Sequence, residues 1–417
     1  MLFNIRRAVD YMQRSRLDAI IATSPTNVTY FSNYHSWTDY LFKEYMLSPG
    51  ASSDRIQNYS MFPLEGDPAL VLSSFEAVNA ADVWVEDIHV FGDSGCDLSS
   101  TSRIIPENLD RFYQYVTQPQ SSHTATDALV ELLKTRGLSG ARIGIEMEDF
   151  PSVTQDIISD ALPSAMLLDC TNLIRQVRMV KSADEISLLR QSAEINEQCA
   201  MESLNIARPG LSVGDIVSHY RKRIGDCGAD FDHFAFGMRG LGMFTEADYK
   251  LQEDDIMFVD FGCIYKHYFS DSGTTLTMKE LPDSVQKKYI ALSECINNGQ
   301  AAANSGKSAS SVRDAMFHAL SAHGVTASFP HGHGLGLEVR DYPILVSNNG
   351  LRIQDDCVDI SSDIIIEVDM VINLEASISC PGAYSLHREQ SFLVTPRGSE
   401  SLVSQERESP FRPNSGR

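Results

Sequence analysis

Ile256-Met257-Phe258-Val259 is an apolar run that ends on Asp260, and Tyr268-Phe269-Ser270-Asp271 brings a second aspartate eleven residues later. Read as an antiparallel hairpin centred between Tyr265 and Lys266, the two runs set their aspartates opposite each other. Directly opposed residues share a face with Cβ atoms about 5 Å apart, so both carboxylates reach one point. The pattern returns further on. Glu375 follows Val371-Ile372-Asn373-Leu374, and Glu389 precedes Ser391-Phe392-Leu393-Val394, around the turn Pro381-Gly382-Ala383. Like charges this close repel unless a cation lies between them. With His333 from a Gly-rich stretch, the set is four carboxylates and one imidazole, which suits a pair of divalent first-row ions.

Around these runs the chain alternates in a way that predicts two domains, the usual expectation for 417 residues. Residues 5–16 read as a helix, followed by a buried strand over 18–22. Further strands are expected at 68–72, 87–91 and 142–146, with helices over 125–136 and 154–162. Alternation of this kind predicts an α/β domain over residues 1–172. A second, α+β domain is expected over 173–398, opening with helices near 183–206 and 213–227. An internal echo is visible there: Ala207 to Asp215 and Asn304 to Asp314 each hold a Gly-containing turn, a Ser N-cap and an amphipathic helix. A duplicated helix–helix–hairpin unit accounts for two hairpins that both carry acids. Residues 399–417 are polar and expected to be a mobile tail.

Composition bounds the partners. A net charge of -22 argues against nucleic acid or an anionic membrane surface, both of which such a field repels. No apolar stretch reaches bilayer length. Eight scattered cysteines without a CxxC pattern suit reduced thiols, so a cytoplasmic location is expected.

The motifs resemble metallopeptidase family M24 and its relatives, the pita-bread fold of aminopeptidase P, prolidase and methionine aminopeptidase. Asn27-Val28-Thr29-Tyr30 is similar to an early motif of the creatinase-type N-terminal domain. The stretch Val177-Arg178-Met179-Val180-Lys181-Ser182 is similar to the phrase that opens the catalytic domain. Val259-Asp260-Phe261-Gly262 with Ser270-Asp271, Gly332-His333-Gly334, Asn373-Leu374-Glu375 and His387-Arg388-Glu389 follow in the family's order. The resemblance implies a creatinase-like α/β domain followed by a pita-bread domain. It also implies two divalent metal ions (Mn, Co, Fe or Zn) on Asp260, Asp271, His333, Glu375 and Glu389. By the same resemblance, water activated between the ions is the nucleophile and Glu375 its general base. A homodimer acting on Xaa-Pro-like peptides is the corresponding expectation.

Two substrate-site histidines of the family are replaced. Met243 stands seventeen residues before Asp260, and Arg340 stands seven after His333. Methionine donates no hydrogen bond, whereas arginine is a permanent cation able to grip a carboxylate. Gly273 and Ala376-Ser377 are further departures. These changes motivate an alternative: a relative acting on a small carboxylated metabolite, as amide or amidine hydrolase or as a lyase of the dimethylsulfoniopropionate type. A third reading is a non-catalytic binding module. His331, Arg340 and His233 are candidate substrate or acid–base groups, and His267 reads as a turn residue. The aromatic run from Tyr30 through Trp37 to Phe42 is expected in the N-domain core, and resemblance to two-domain relatives implies a reach toward the active site of a dimer partner.

Overall fold

The computed structural model describes the chain except residues 36–45, 47, 51–52, 98, 100–108, 119, 149, 246–247, 327–329, 405–408 and 415–417. Trp37, Tyr40 and Phe42 therefore lie outside the described residues. The chain divides into two units. One comprises Met1–Val177 with Ile353–Asp359, and the other Arg178–Arg352 with Ile360–Arg417. The division falls inside the helix Thr171–Met179, five residues beyond the boundary expected from sequence.

The first unit is α/β. Its six-stranded sheet has the order β4-β3-β2-β1-β5-β6, from β1 (Ala19–Ala22), β2 (Tyr59–Pro63), β3 (Ala69–Ser73), β4 (Asp87–Phe91), β5 (Arg142–Ile145) and β6 (Met166–Asp169). Strand β1 is buried throughout because it pairs on both sides, antiparallel to β2 and parallel to β5. The helix Ala125–Thr135 turns Ala125, Ala128, Leu129, Leu132 and Leu133 onto the core and starts at a Thr124/Asp127 capping box. Strands β2 and β6 were not expected from sequence, β6 because its four residues are short and only partly buried. Asn27 of the early motif serves packing: its amide donates to the buried Glu146, whose Oε2 also accepts from the Thr23 and Ser24 N–H groups at 2.9 Å.

The second unit is α+β. Its strands are β7 (Asp230–Gly237), β8 (Met243–Phe244), β9 (Ile256–Tyr265), β10 (Tyr268–Thr277), β11 (His331–Gly334), β12 (Asp341–Ile344), β15 (Val371–Cys380), β16 (Tyr384–Thr395) and β17 (Gly398–Ser401), while the short pair β13 (Arg352–Gln354) and β14 (Asp359–Ser361) brackets the Ile353–Asp359 segment of the first unit. The large sheet runs β12-β11-β15-β16-β10-β9-β7-β8, with β17 on β16. The two acid-bearing hairpins thus meet at its centre, β16 against β10. Helices Ala183–Leu204 and Val213–Asp226 pack on the first half, around Tyr220, Phe234, Phe236 and Phe261. Asp283–Ala302 and Ala309–Ala322 are their counterparts in the second half.

The internal echo is real in the backbone. Ser212 bridges to Lys250, six residues before β9, and Ser308 bridges to Ile365, six residues before β15. Gly210 N–H bonds Leu251 O and Gly306 N–H bonds Ile366 O, each at 2.8 Å. Val213 to Tyr249 and Ala309 to Ile364 repeat the match.

Two expectations are corrected. The first hairpin turns between Lys266 and His267, both at positive φ, so Asp260 faces Gly273 and Asp271 faces Gly262. Moving the centre by one residue shifts the register by two, which keeps both aspartates on one face but sets them on a diagonal. The expected mobile tail is partly docked. Gly398–Ser401 forms β17, Leu402 is buried, and Phe411 bonds Thr275 and Thr277 through its backbone, because these apolar residues gain burial. Within the described residues no helix is long and apolar enough to cross a membrane.

Candidate metal centre

Alternation along each strand decides which side chains converge. Asp260 and Asp271 point from β9 and β10, and Glu375 and Glu389 from β15 and β16, where they are direct register partners. His333 comes from β11, whose neighbour across the sheet is β15. Potential ligand atoms of Asp271, His333 and Glu389 lie within 4.8 Å of one another, as do those of Asp260, His387 and Glu389 and of His233, Asp260 and Asp271. The three groups are linked by shared Asp260, Asp271 and Glu389. Glu375 stands at the margin, facing Glu389, with Arg340 Nη2 3.5 Å from its Oε1.

His333 tests whether cations fit. Its ring is fully buried, Nδ1 contacts Gly334 O at 2.9 Å, and Nε2 has no hydrogen-bond partner among the described residues. That nitrogen lies 3.5 Å from Asp271 Oδ2. An orphaned buried nitrogen against a carboxylate is costly in a bare protein and is what a cation between them relieves. The carboxylates point the same way. Burial, then Asp271, Asp260 and Glu375, raises the Glu389 carboxyl well above its usual range, against the opposing Asn373 amide. Burial likewise raises Glu375, with His333 opposing and Asp260 adding to it. Asp260 is lowered: burial pushes it up, but the hydrogen bond and charge of His233 outweigh burial. A divalent cation between them would offset the burial that raises Glu375 and Glu389.

The residues expected around substrate divide. His331 sits beside the centre, its ring centroid 6.0 Å from that of His333. Arg340 Nη1 donates to His331 Nε2 at 3.2 Å, which places the His331 proton on Nδ1. Burial, then Arg340 and His333, drops His331 to about 4, so it is neutral near pH 7. Arg340 itself is exposed and pairs with Glu375, not with Glu338 or Asp341. Those two acids instead hold Arg178, and Asp341 also takes Lys181 at 3.5 Å. The Arg178 and Lys181 phrase thus fixes the segment that follows His333. Met243 is 66% exposed on β8. Both nitrogens of His233 meet carboxylates, Asp232 at 2.7 Å and Asp260 at 2.8 Å.

The glycines beside His333 allow close strand packing: a Cβ on Gly332 would sit 2.7 Å from Asn373 O, and one on Gly334 2.1 Å from Tyr342 O. Sequence reasoning missed His387 as a site residue. It is fully buried, with Nε2 3.0 Å from Glu389 Oε2. The available signal was its position two residues before Glu389, which puts both side chains on one face of a strand.

Residues 187–396 match metallopeptidase family M24, and residues 4–180 match the creatinase/prolidase N-terminal domain. An uncharacterized peptidase of Staphylococcus aureus strain MSSA476 is 29% identical over 241 residues, which cover 56% of this chain and 65% of that relative. The chain therefore spans somewhat less than two thirds of the length of that curated relative. In structure, the prolidase from Pyrococcus horikoshii OT3 matches 97% of this chain and 99% of its own, with TM-score 0.69 and 19% identity. The X-Pro aminopeptidase from Thermotoga maritima MSB8 matches with TM-score 0.70 and 18% identity, covering 98% and 99%. The pita-bread fold, the order of the acidic motifs and the matched residues agree: the chain belongs to metallopeptidase family M24, with a creatinase/prolidase N-terminal domain.

Proposed function

We propose that the chain is a dinuclear metal-dependent hydrolase of the Xaa-Pro peptidase type. Asp260, Asp271 and Glu389 would hold one ion, and Asp271, Glu389, His333 and Glu375 the other. The observation that carries this reading is the buried, unpartnered Nε2 of His333 facing Asp271 amid four carboxylates. Two divalent ions balance the charge of those four acids. When bound, they supply Lewis-acid polarisation of a scissile carbonyl and a more acidic water. Glu375, raised by burial, would take a proton from that water. Arg340, exposed beside Glu375 and His331, would hold a substrate carboxylate. His331 is neutral near pH 7 and so adds no charge beside the centre.

A homodimer is part of this reading, and light scattering on the full chain checks it. The activity test strips the protein and reloads it with manganese, cobalt, iron or zinc. Xaa-Pro dipeptides and tripeptides are then offered beside N-acyl and onium carboxylates. Metal-dependent cleavage of the proline peptides is expected. Turnover of a small carboxylated metabolite alone would replace the peptide reading with the alternative that Met243 and Arg340 motivate. Absence of any metal-dependent turnover would leave a binding module.

A further inference from the structure

Three histidines share one design around the carboxylates. His333 fixes Nδ1 on Gly334 O, His233 on Asp232 Oδ2 at 2.7 Å, and His387 on Ser377 Oγ at 2.8 Å. All three then present Nε2 to the acids. His333 faces Asp271, His233 faces Asp260 at 2.8 Å and Asp271 at 3.5 Å, and His387 faces Glu389 at 3.0 Å. A ring nitrogen tied to an outer partner while the other points at acids is the arrangement of metal-ligating histidine. Only His333 belongs to the five-residue set.

Space for the other two is made by glycines opposite the aspartates. A Cβ at Gly262, the register partner of Asp271, would lie 2.5 Å from His233 Cε1. A Cβ at Gly273, the partner of Asp260, would lie 2.2 Å from His387 Cδ2 and 2.3 Å from its Nε2. Any side chain at either position would collide with a ring, so each imidazole occupies its place because the facing residue is glycine. This gives the departure at Gly273 a physical cause.

Hydrogen-bond arithmetic adds to the geometry. Carboxylates only accept, and a neutral imidazole donates once. The short contacts of His233 to both Asp232 and Asp260 therefore require a second proton on the ring or a cation between Nε2 and Asp260.

We propose that His233 and His387 are metal ligands, supplying Nε2 donors to the ion held by Asp260 and making that position a mixed nitrogen–oxygen site. The inference rests on the dinuclear reading above. Two neutral donors add coordination without charge, and imidazole suits zinc, iron and the later first-row ions, whereas a carboxylate-only site suits manganese or magnesium. The pair therefore shifts the preference of this position away from manganese.

X-ray absorption of the full-length, zinc-loaded protein tests it, with metal content measured on the same sample. The expected spectrum requires three imidazoles shared by two ions. His233→Gln and His387→Gln each remove one imidazole contribution and weaken zinc retention on dialysis about tenfold or more, with a smaller loss for manganese. Two bound ions with a single shared imidazole would overturn this proposal and leave the dinuclear reading standing. A wild-type protein that binds no divalent ion would overturn both. The wild-type spectrum decides the matter even if a variant fails to fold.

Discussion

The two acid-bearing hairpins follow one plan and solve the same electrostatic problem differently. In β9/β10 the aspartates lie on a diagonal, each opposite a glycine. In β15/β16 the glutamates face each other directly. Directly opposed like charges are destabilising in a sheet. The second hairpin offsets them with polar partners, Arg340 on Glu375 and Asn373 and His387 on Glu389. The first avoids the clash by spacing, and the space left above its glycines is filled by rings from flanking strands. The turns differ too. Lys266 and His267 carry positive φ in a two-residue turn, while the second hairpin assigns that conformation to Gly382. A duplicated scaffold thus preserves the backbone frame while each copy settles its own charge.

The strongest break in this comparison is removal of an acid where the hairpins meet. Asp271→Ala or Glu389→Ala is expected to release metal and lower turnover by at least about 10²–10³-fold, read by elemental analysis beside activity. Retention of full metal and turnover in either variant would end the shared-site account.

The helix Ala183–Leu204, packed on the first hairpin, offers a pH test. Glu185 accepts from the Ser182 N–H at 2.7 Å and from the hydroxyl of Tyr268, the residue that closes the first turn, at 3.1 Å. Burial raises its carboxyl from 4.5 to about 7, against Ser182, Lys181 and Tyr268. The folded state therefore holds the proton more tightly than the unfolded chain. Its contribution to stability is complete below pH 4.5 and is lost as pH rises through about 7. The size is roughly 2–4 kcal/mol across that window. Thermal melts of wild type and Glu185→Gln from pH 4 to 8 should converge in slope at the extremes and diverge between them. Parallel curves throughout would remove the effect.

Gly273→Ala sharpens the contrast between the hairpins. Its new Cβ meets the His387 ring, so a cost of about 1–3 kcal/mol is expected from overpacking, together with weaker zinc binding. Gly382→Ala, in the turn with no atom within 4 Å of the added carbon, should disturb stability only through its positive φ and leave zinc binding unchanged. Equal effects on metal in both variants would contradict the placement of His387.

The smallest effect concerns the turns. Lys266→Asn with His267→Gly places residues that favour positive φ where the first hairpin needs them. A gain of about 0.5–1 kcal/mol is expected, seen as a Tm rise of a few degrees at most. No gain would mean that the Lys266 and His267 side chains offset their backbone strain.

Much of the site was legible because its signals are local. Asp260 ends an apolar run, Gly332-His333-Gly334 is a recognisable phrase, and the Ser212 and Ser308 caps mark equivalent helices. The turn of the first hairpin was misplaced by one residue because nothing in Lys266-His267 advertises positive φ. The Phe411 segment looked like a free polar end because a single aromatic among polar residues reveals nothing of its partner strand.

By itself the sequence determined the identity and order of the acids and of His333, and the faces of the strands that carry them. Alternation with period two needs only neighbouring residues. Tertiary structure alone decided that His387 fills the hollow over Gly273, that His233 leans on Asp260 over Gly262, and that Arg340 pairs with Glu375. Those contacts join strands far apart in the chain, and their partners depend on register and sheet order, which no local pattern encodes.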